Sequence, residues 1–243
     1  MNSVKRIALL LSSIVYLVSA CSSTPDMSGR LPGVGVTVVG VTARSGLDVS
    51  FNRNLLAQEF AAMLAERGEF AVVPSSALRR AIGPTRLEQL LLRHARNVSP
   101  SAQDIQLLMG AGLPTTRAIM VRIEDDRTQK RALRREPVRN RAGALLLDRE
   151  RHVLATQRIT RMSATLIDLR TGELVWQRTY EVGPITEQAT TQYLGSSFSG
   201  SLAAAFANAV VNGLRVASHP EAPPLRLNLR SLLREIALRA PVA

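Results

Sequence analysis

The sequence predicts an α/β fold, a single mixed-sheet sandwich domain with helices packed on the sheet, and three observations predict it. Val34 to Val41 (Val-Gly-Val-Thr-Val-Val-Gly-Val) is β-branched and glycine-bearing, the pattern of a buried first strand. Between Asn52 and Ala111 apolar residues recur at helical spacing in four stretches, with one short β-rich run among them. From Ala118 onward the period changes to two.

Each element has its own local reason. A helix begins near Asn52, sets Leu56, Phe60, Met63, Leu64 and Arg67 at helical spacing, and stops at Gly68. Phe70-Ala71-Val72-Val73-Pro74 is a short strand, and Ser75 or Ser76 is expected to cap a helix around Ala77–Ile82. A further helix starts at Thr85 and carries Leu87, Leu90 and Leu91 on one face to about Arg96. Another is expected from Ser99 to Ala111, with Ser101 and Asp104 in its cap region and Gly112-Leu113-Pro114 ending it. Ala118 to Glu124 alternates as a strand, and Val153 to Leu169 is a long alternating one. Arg170-Thr171-Gly172-Glu173 is a turn, returning as the hairpin partner Leu174 to Val182. A Ser/Gly stretch (195–201) leads into an alanine-rich helix from Leu202 to about Val216. Pro220, Pro223 and Pro224 then precede a last helix near Leu227–Arg239. No internal repeat is present at solenoid periods.

The amino terminus adds a location. Lys5 and Arg6 precede an apolar run from Ile7 to Val18, too short to span a bilayer comfortably, in the order of a secretory signal peptide. Val18-Ser19-Ala20-Cys21 resembles a bacterial lipobox, and Cys21 is the only cysteine. The resemblance implies cleavage before Cys21, a diacylglycerol thioether on its sulfur and acylation of the new amino group. With Ser22 rather than the retention signal Asp, it implies an outer-membrane anchor facing the periplasm. The expected division is therefore a signal peptide over 1–20, a lipidated tether over 21–33, an α/β periplasmic domain over 34–216, and a Pro-rich linker with a basic amphipathic helix over 217–243. The tether is punctuated by Pro25, Gly29, Pro32 and Gly33, and about 12 residues at ~3.3 Å each reach at most about 40 Å. No later stretch is long and apolar enough for a transmembrane helix; the best candidate, Leu202 to Val211, contains Asn208.

Composition narrows the partners. The net charge is +12, and loss of Lys5 and Arg6 with the leader leaves +10, nearly all arginine, with Lys130 the only lysine left. Export argues against nucleic acid, and 4% aromatic content removes the stacking platforms of a single-strand binder. The remaining polyanions are those of an envelope: lipid phosphates, wall carboxylates and lipopolysaccharide. Part of the arginine bias also follows from genome base composition.

Catalytic signals are poor, and the reading is of a non-enzyme. His94, His152 and His219 share no metal-ligand spacing with one another or with Cys21, so no metal or cofactor is expected. Glu124-Asp125-Asp126 reads as an ion-paired strand end with Arg122, Arg127 and Lys130 as neutralising partners. Gly33-x-Gly35 and Gly40 have the wrong spacing for a dinucleotide loop, and Gly195 to Gly200 lacks the glycine spacing of a nucleophile elbow.

Two features favour binding. Residues 127–151 carry a dense basic run including Arg131, Arg134, Arg135, Arg139 and Arg141. It is either an arginine-lined arm or hairpin for phosphates and carboxylates, or a solvated loop. The last helix sets Leu229, Leu232, Leu233 and Ile236 on one stripe and Arg226, Arg230 and Arg234 at intervals of four. That helix lies on an anionic surface, docks on a partner, or packs its stripe on its own domain.

The Glu69-Phe70-Ala71-Val72-Val73-Pro74 segment and the hairpin Leu166-Ile167-Asp168-Leu169-Arg170-Thr171-Gly172-Glu173-Leu174-Val175-Trp176 resemble a known group. They are similar to the periplasmic domain shared by curli-secretion-channel lipoproteins, outer-membrane activators of penicillin-binding proteins, and the amino-terminal domain of the Tol-Pal translocation protein. The likeness covers about residues 34–216 and is a fold signature without an active site. Two departures matter: the activators use a long stalk that this tether lacks, and the channel lipoproteins use apolar membrane hairpins where this chain is arginine-rich. The expectation is a non-enzymatic outer-membrane lipoprotein, an assembly or accessory module acting on a protein or polyanionic partner. The alternatives are an oligomeric subunit of a curli-type secretion apparatus and, less favoured, an activator of a peptidoglycan synthase.

Overall fold

A computed structural model describes residues 34–97, 99–194, 204–205 and 219–242. Six strands form one mixed sheet: β1 (Val34–Ala43), β2 (Phe70–Val73), β3 (Arg117–Arg139), β4 (Leu145–Asp168), β5 (Leu174–Val182) and β6 (Ile185–Tyr193). Their order is β2-β1-β3-β4-β5, with β6 also on β4. β1 runs parallel to both β2 and β3, and β3, β4 and β5 alternate as antiparallel neighbours. Five helices accompany them: α1 (Arg53–Glu66), α2 (Ser75–Ile82), α3 (Pro84–Arg96), α4 (Ala102–Met109) and α5 (Leu225–Arg239).

Helices cover both faces of the sheet. On one, Phe60 and Leu64 of α1 and Leu229, Leu232, Leu233 and Ile236 of α5 pack on Val36, Val38, Ile119, Val121, Ile123, Met162 and Leu166. On the other, Leu78, Ile82, Leu87, Leu90, Leu91 and Leu108 of α2, α3 and α4 cover Val39, Ala118, Met120 and Ile167. β1 and β3 are apolar on both sides because both sides are covered. The α5 stripe is thereby spent on its own domain, one of the three uses its spacing allowed, and the helix shares the core of the strands before it.

Caps set the helix starts. Asn52 Oδ1 accepts from the Leu55 N–H (3.0 Å) ahead of α1, and Ser101 with Asp104 closes a reciprocal capping box ahead of α4. Ser75 and Ser76 do not cap α2: Pro74 occupies that position and the serines are already helical. α3 starts one residue earlier than expected, at Pro84, where a missing N–H costs nothing. Gly35 is required by closeness, since a β-carbon there would stand 2.9 Å from the Pro114 carbonyl oxygen.

Two findings matter for function. Residues 127–151 form a hairpin arm, one of the two alternatives the sequence left open: β3 continues to Arg139, and β4 begins at Leu145 rather than Val153. The apolar alternation fades in the β3 half of this ladder, where residues 127–139 are mostly exposed and polar. The second is β6, a Thr-bearing strand that pairs with the arm half of β4 and was not foreseen. Cys21, the leader, the tether and most of the expected Leu202–Val216 helix lie outside the described residues; Ala204 and Ala205 are helical. No helix among the described residues is long and apolar enough to cross a membrane.

Candidate functional site

Beyond Asp126 the sheet narrows to three strands, β3, β4 and β6, which form an arm. With 23 and 24 residues, β3 and β4 are each about 75 Å long if straight. The root of the arm is fastened by a largely buried ion pair. Arg158 of β4 grips Asp126 of β3 through Nε (3.0 Å) and Nη2 (2.6 Å), and the Thr160 hydroxyl donates to the same carboxylate (2.8 Å). Asn228 of α5 donates to Thr160 Oγ1 (2.8 Å), and Arg158 also reaches the Pro223 carbonyl (3.4 Å). The hydrogen bond to Asp126, together with its charge, raises the pKa of the Arg158 guanidinium against the cost of burial. Arm and final helix are thus joined through one carboxylate.

A second cluster lies at the other face. Buried Arg122 pairs in two-pronged fashion with Glu124 (3.0 and 2.7 Å), Ser163 donates to Glu124, and Arg122 Nη1 reaches the His94 carbonyl (3.3 Å). Burial raises the Glu124 pKa, but the hydrogen bonds from Arg122 and Ser163 with the Arg122 charge outweigh it, and the net shift is downward. His94 is buried against Thr42 (Nδ1 to Oγ1, 3.0 Å); burial and the nearby Arg122 charge lower its pKa to about 4. These groups satisfy one another and present nothing to a substrate. Of the acidic triplet, Glu124 pairs with Arg122, Asp125 with Arg127 (3.3 Å), and Asp126 with Arg158 rather than Lys130.

The arm splits the predicted arginines between its faces. Arg127, Arg131 and Arg134 stand opposite Ile159, Ala155 and Val153 of β4, so they share one face. Lys130 and Arg135 oppose Thr156 and His152 on the other. Arg134 pairs with Glu136 and lies 3.7 Å from Glu187 of β6; the Glu136 hydrogen bond raises the Arg134 pKa. Arg131 donates to Gln129, and Arg149 stacks over the Tyr193 ring (4.8 Å) while pairing with Asp148. Arg139 and Arg141 are at the tip, where Arg139 donates to the Gly143 carbonyl (2.8 Å). Asn140 Oδ1 accepts from the N–H groups of Ala142 and Ala144 (2.9 Å each), which closes the turn, with Gly143 at φ +83°.

The helical arginines are placed otherwise. Arg226 and Arg230 both converge on Glu59 of α1 (3.1 Å each), and only Arg234 of the three is without an ion-pair partner among the described residues. Arg234 borders an open groove with Met63, Glu66, Arg67, Ala237 and Leu238. Glu59 was not legible as their partner, because 167 residues separate it from Arg226. His152 approaches Glu150 (3.3 Å), far from His94, and no group of three potential metal ligands exists among the described residues.

No protein-family model matches the chain, and no curated protein matches it. Solved structures similar to it include the LpoB C-terminal domain from Salmonella enterica, at 16% identity and TM-score 0.36, over 64% of this chain and 86% of that one. Lipoprotein GNA1162 from Neisseria meningitidis matches at 18% identity and TM-score 0.33, over 74% and 99%. A PelC dodecamer from Paraburkholderia phytofirmans matches at 15% and 0.30, over 72% and 84%. A lipoprotein thus stands among these neighbours, and scores of this size carry no argument about function.

Proposed function

We propose that this chain is a non-enzymatic lipoprotein of the outer membrane, anchored through Cys21, whose β-arm engages a protein or anionic polymer as an accessory part of an envelope machine. The observation that carries this reading is the arm itself. Between Lys130 and Arg151 it bears eight basic and three acidic residues, on strands held by the Asp126–Arg158 pair. Guanidinium groups so placed recognise phosphate or carboxylate in two-pronged fashion. A buried polar network at the root, in place of an exposed nucleophile or metal cage, fits a scaffold better than a catalyst.

The test is capture of envelope components on the immobilised full-length protein and on a variant with Arg131, Arg134, Arg135, Arg139 and Arg141 replaced by Ser. The variant loses the partner, and the loss follows ionic strength; undiminished capture ends the proposal. The outer edges of β3 beyond Ile123 and of β6 have no strand neighbour among the described residues, which leaves room for a ring of copies. Lys130, Arg131, Arg134 and Arg135 crowd the β3 edge, and like charge at an edge opposes such pairing. Negative-stain images of detergent-extracted protein distinguish the two readings.

A further inference from the structure

The tip of the arm has a chemistry that polyanion binding does not use. Leu145, Leu146 and Leu147 follow Ala142-Gly143-Ala144 directly. Leu147 is 87% exposed and Leu145 48%, the first being the most exposed large apolar side chain among the described residues. Leu194, also exposed, stands near the same end and donates its N–H to the Asp148 carbonyl (2.7 Å). Leu145 and Leu146 hold consecutive paired positions opposite Arg139 and Val138, so their side chains point to opposite sides, and Leu147 follows in an irregularity of the strand. The tip is therefore apolar on both sides, where a groove on a protein would need one apolar side. A medium that surrounds the tip, such as the interior edge of a lipid layer, meets both.

The collar around those leucines is cationic. Arg139 and Arg141 precede them, Arg149 follows with the amphipathic Tyr193 ring beneath it, and Arg135 lines a hollow with Pro137, Leu146, Leu147 and Leu194. The acids facing it are Glu136, Asp148 and Glu150; Asp148 is already paired to Arg149, and Glu136 to Arg134. Apolar side chains beyond, guanidinium groups behind and an aromatic ring at their level is the arrangement by which a protein sits in the headgroup zone of an anionic bilayer. We infer that the arm tip inserts Leu145, Leu146 and Leu147 into an anionic phospholipid surface while Arg135, Arg139, Arg141 and Arg149 hold lipid phosphates. This inference rests on the reading of the arm as a contact element and names the partner of its tip.

Cys21 is the only cysteine, so a label can be placed singly. The full chain carrying Cys21→Ser and Leu147→Cys is labelled with an environment-sensitive fluorophore and mixed with phosphatidylglycerol-containing or pure phosphatidylcholine vesicles. A control label is placed by Thr171→Cys, in the turn at the opposite end of β4. The label at position 147 shifts to the blue and is quenched by nitroxide lipid on the anionic vesicles only, while the one at 171 does neither. Replacing both Leu145 and Leu146 with Ser weakens that response at least about tenfold, a loss of two buried leucines. An unshifted label at 147, or equal response on neutral vesicles, overturns the assignment. So does vesicle-independent self-association, seen by sedimentation, that the leucine substitutions abolish, since the tip then meets a second copy. Capture of an envelope partner lost in the five-arginine variant but kept when the leucines are replaced leaves the broader reading standing while this one fails.

Discussion

His94 sits in the core as a neutral imidazole, and that makes it a sensor of acid for the whole fold. Its pKa of about 4 in the folded state lies below the ordinary 6.5, because burial and the Arg122 charge disfavour the imidazolium more than Glu124 and Asp104 favour it. The unfolded chain takes up a proton below about 6.5, whereas the folded one does so only near 4. The stability is complete above 6.5 and falls as pH drops toward 4, by at most about 3 kcal/mol. Urea unfolding across that range shows the decline, and His94→Gln flattens it; an unchanged slope assigns the effect elsewhere. Asp126 is the other decisive residue. Asp126→Asn leaves the Arg158 guanidinium mostly buried without its carboxylate, and is expected to cost about 2 kcal/mol and lower Tm by roughly 5 °C. The loss reads out by thermal melting, and a Tm within a degree or so of the parent contradicts this role.

Among the elements, α5 and the arm respond in opposite ways to substitution. Leu232 is fully buried between α1 and the sheet, so Leu232→Ala is expected to destabilise by about 3 kcal/mol. Arg234→Ala, on the exposed side of the same helix, stays within about 0.5 kcal/mol. Denaturant titration separates the two, and equal effects mean that α5 is not part of the core. The amphipathic spacing of α5 was fully legible in the sequence, since Leu229, Leu232, Leu233 and Ile236 are a local pattern. Its docking was not, because the Glu59 that receives Arg226 and Arg230 is remote in the chain. The arm was half legible: its arginines were plain, but strand character without an apolar face leaves no period to read. β6 was missed for the same reason, its Thr and Gln residues alternating without contrast.

At the scale of the molecule, charge and the proposed anchorage act together. A chain of net charge +12 attracts anions at a distance that salt shortens, so the proposed binding through the arm is expected to weaken steeply between low and high ionic strength. If Cys21 carries the acyl chains, cells fed labelled palmitate incorporate it into the protein, and Cys21→Ser abolishes both label and membrane recovery. Recovery of unlabelled protein from the cytosol at precursor mass would sink the lipid anchor while leaving the fold untouched.

The alternation of helical and strand periods, the apolar stripe of α5 and the capping box at Ser101 were written in consecutive residues. Each follows from local sterics and short-range hydrogen bonding, so the sequence determined them alone. The long arm, the burial of both sheet faces, the division of the basic residues between arm faces and the engagement of Asp126 by Arg158 were decided by the tertiary structure. Strand register and ion pairing join residues tens to hundreds of positions apart, and only the assembled core brings those groups within reach of one another.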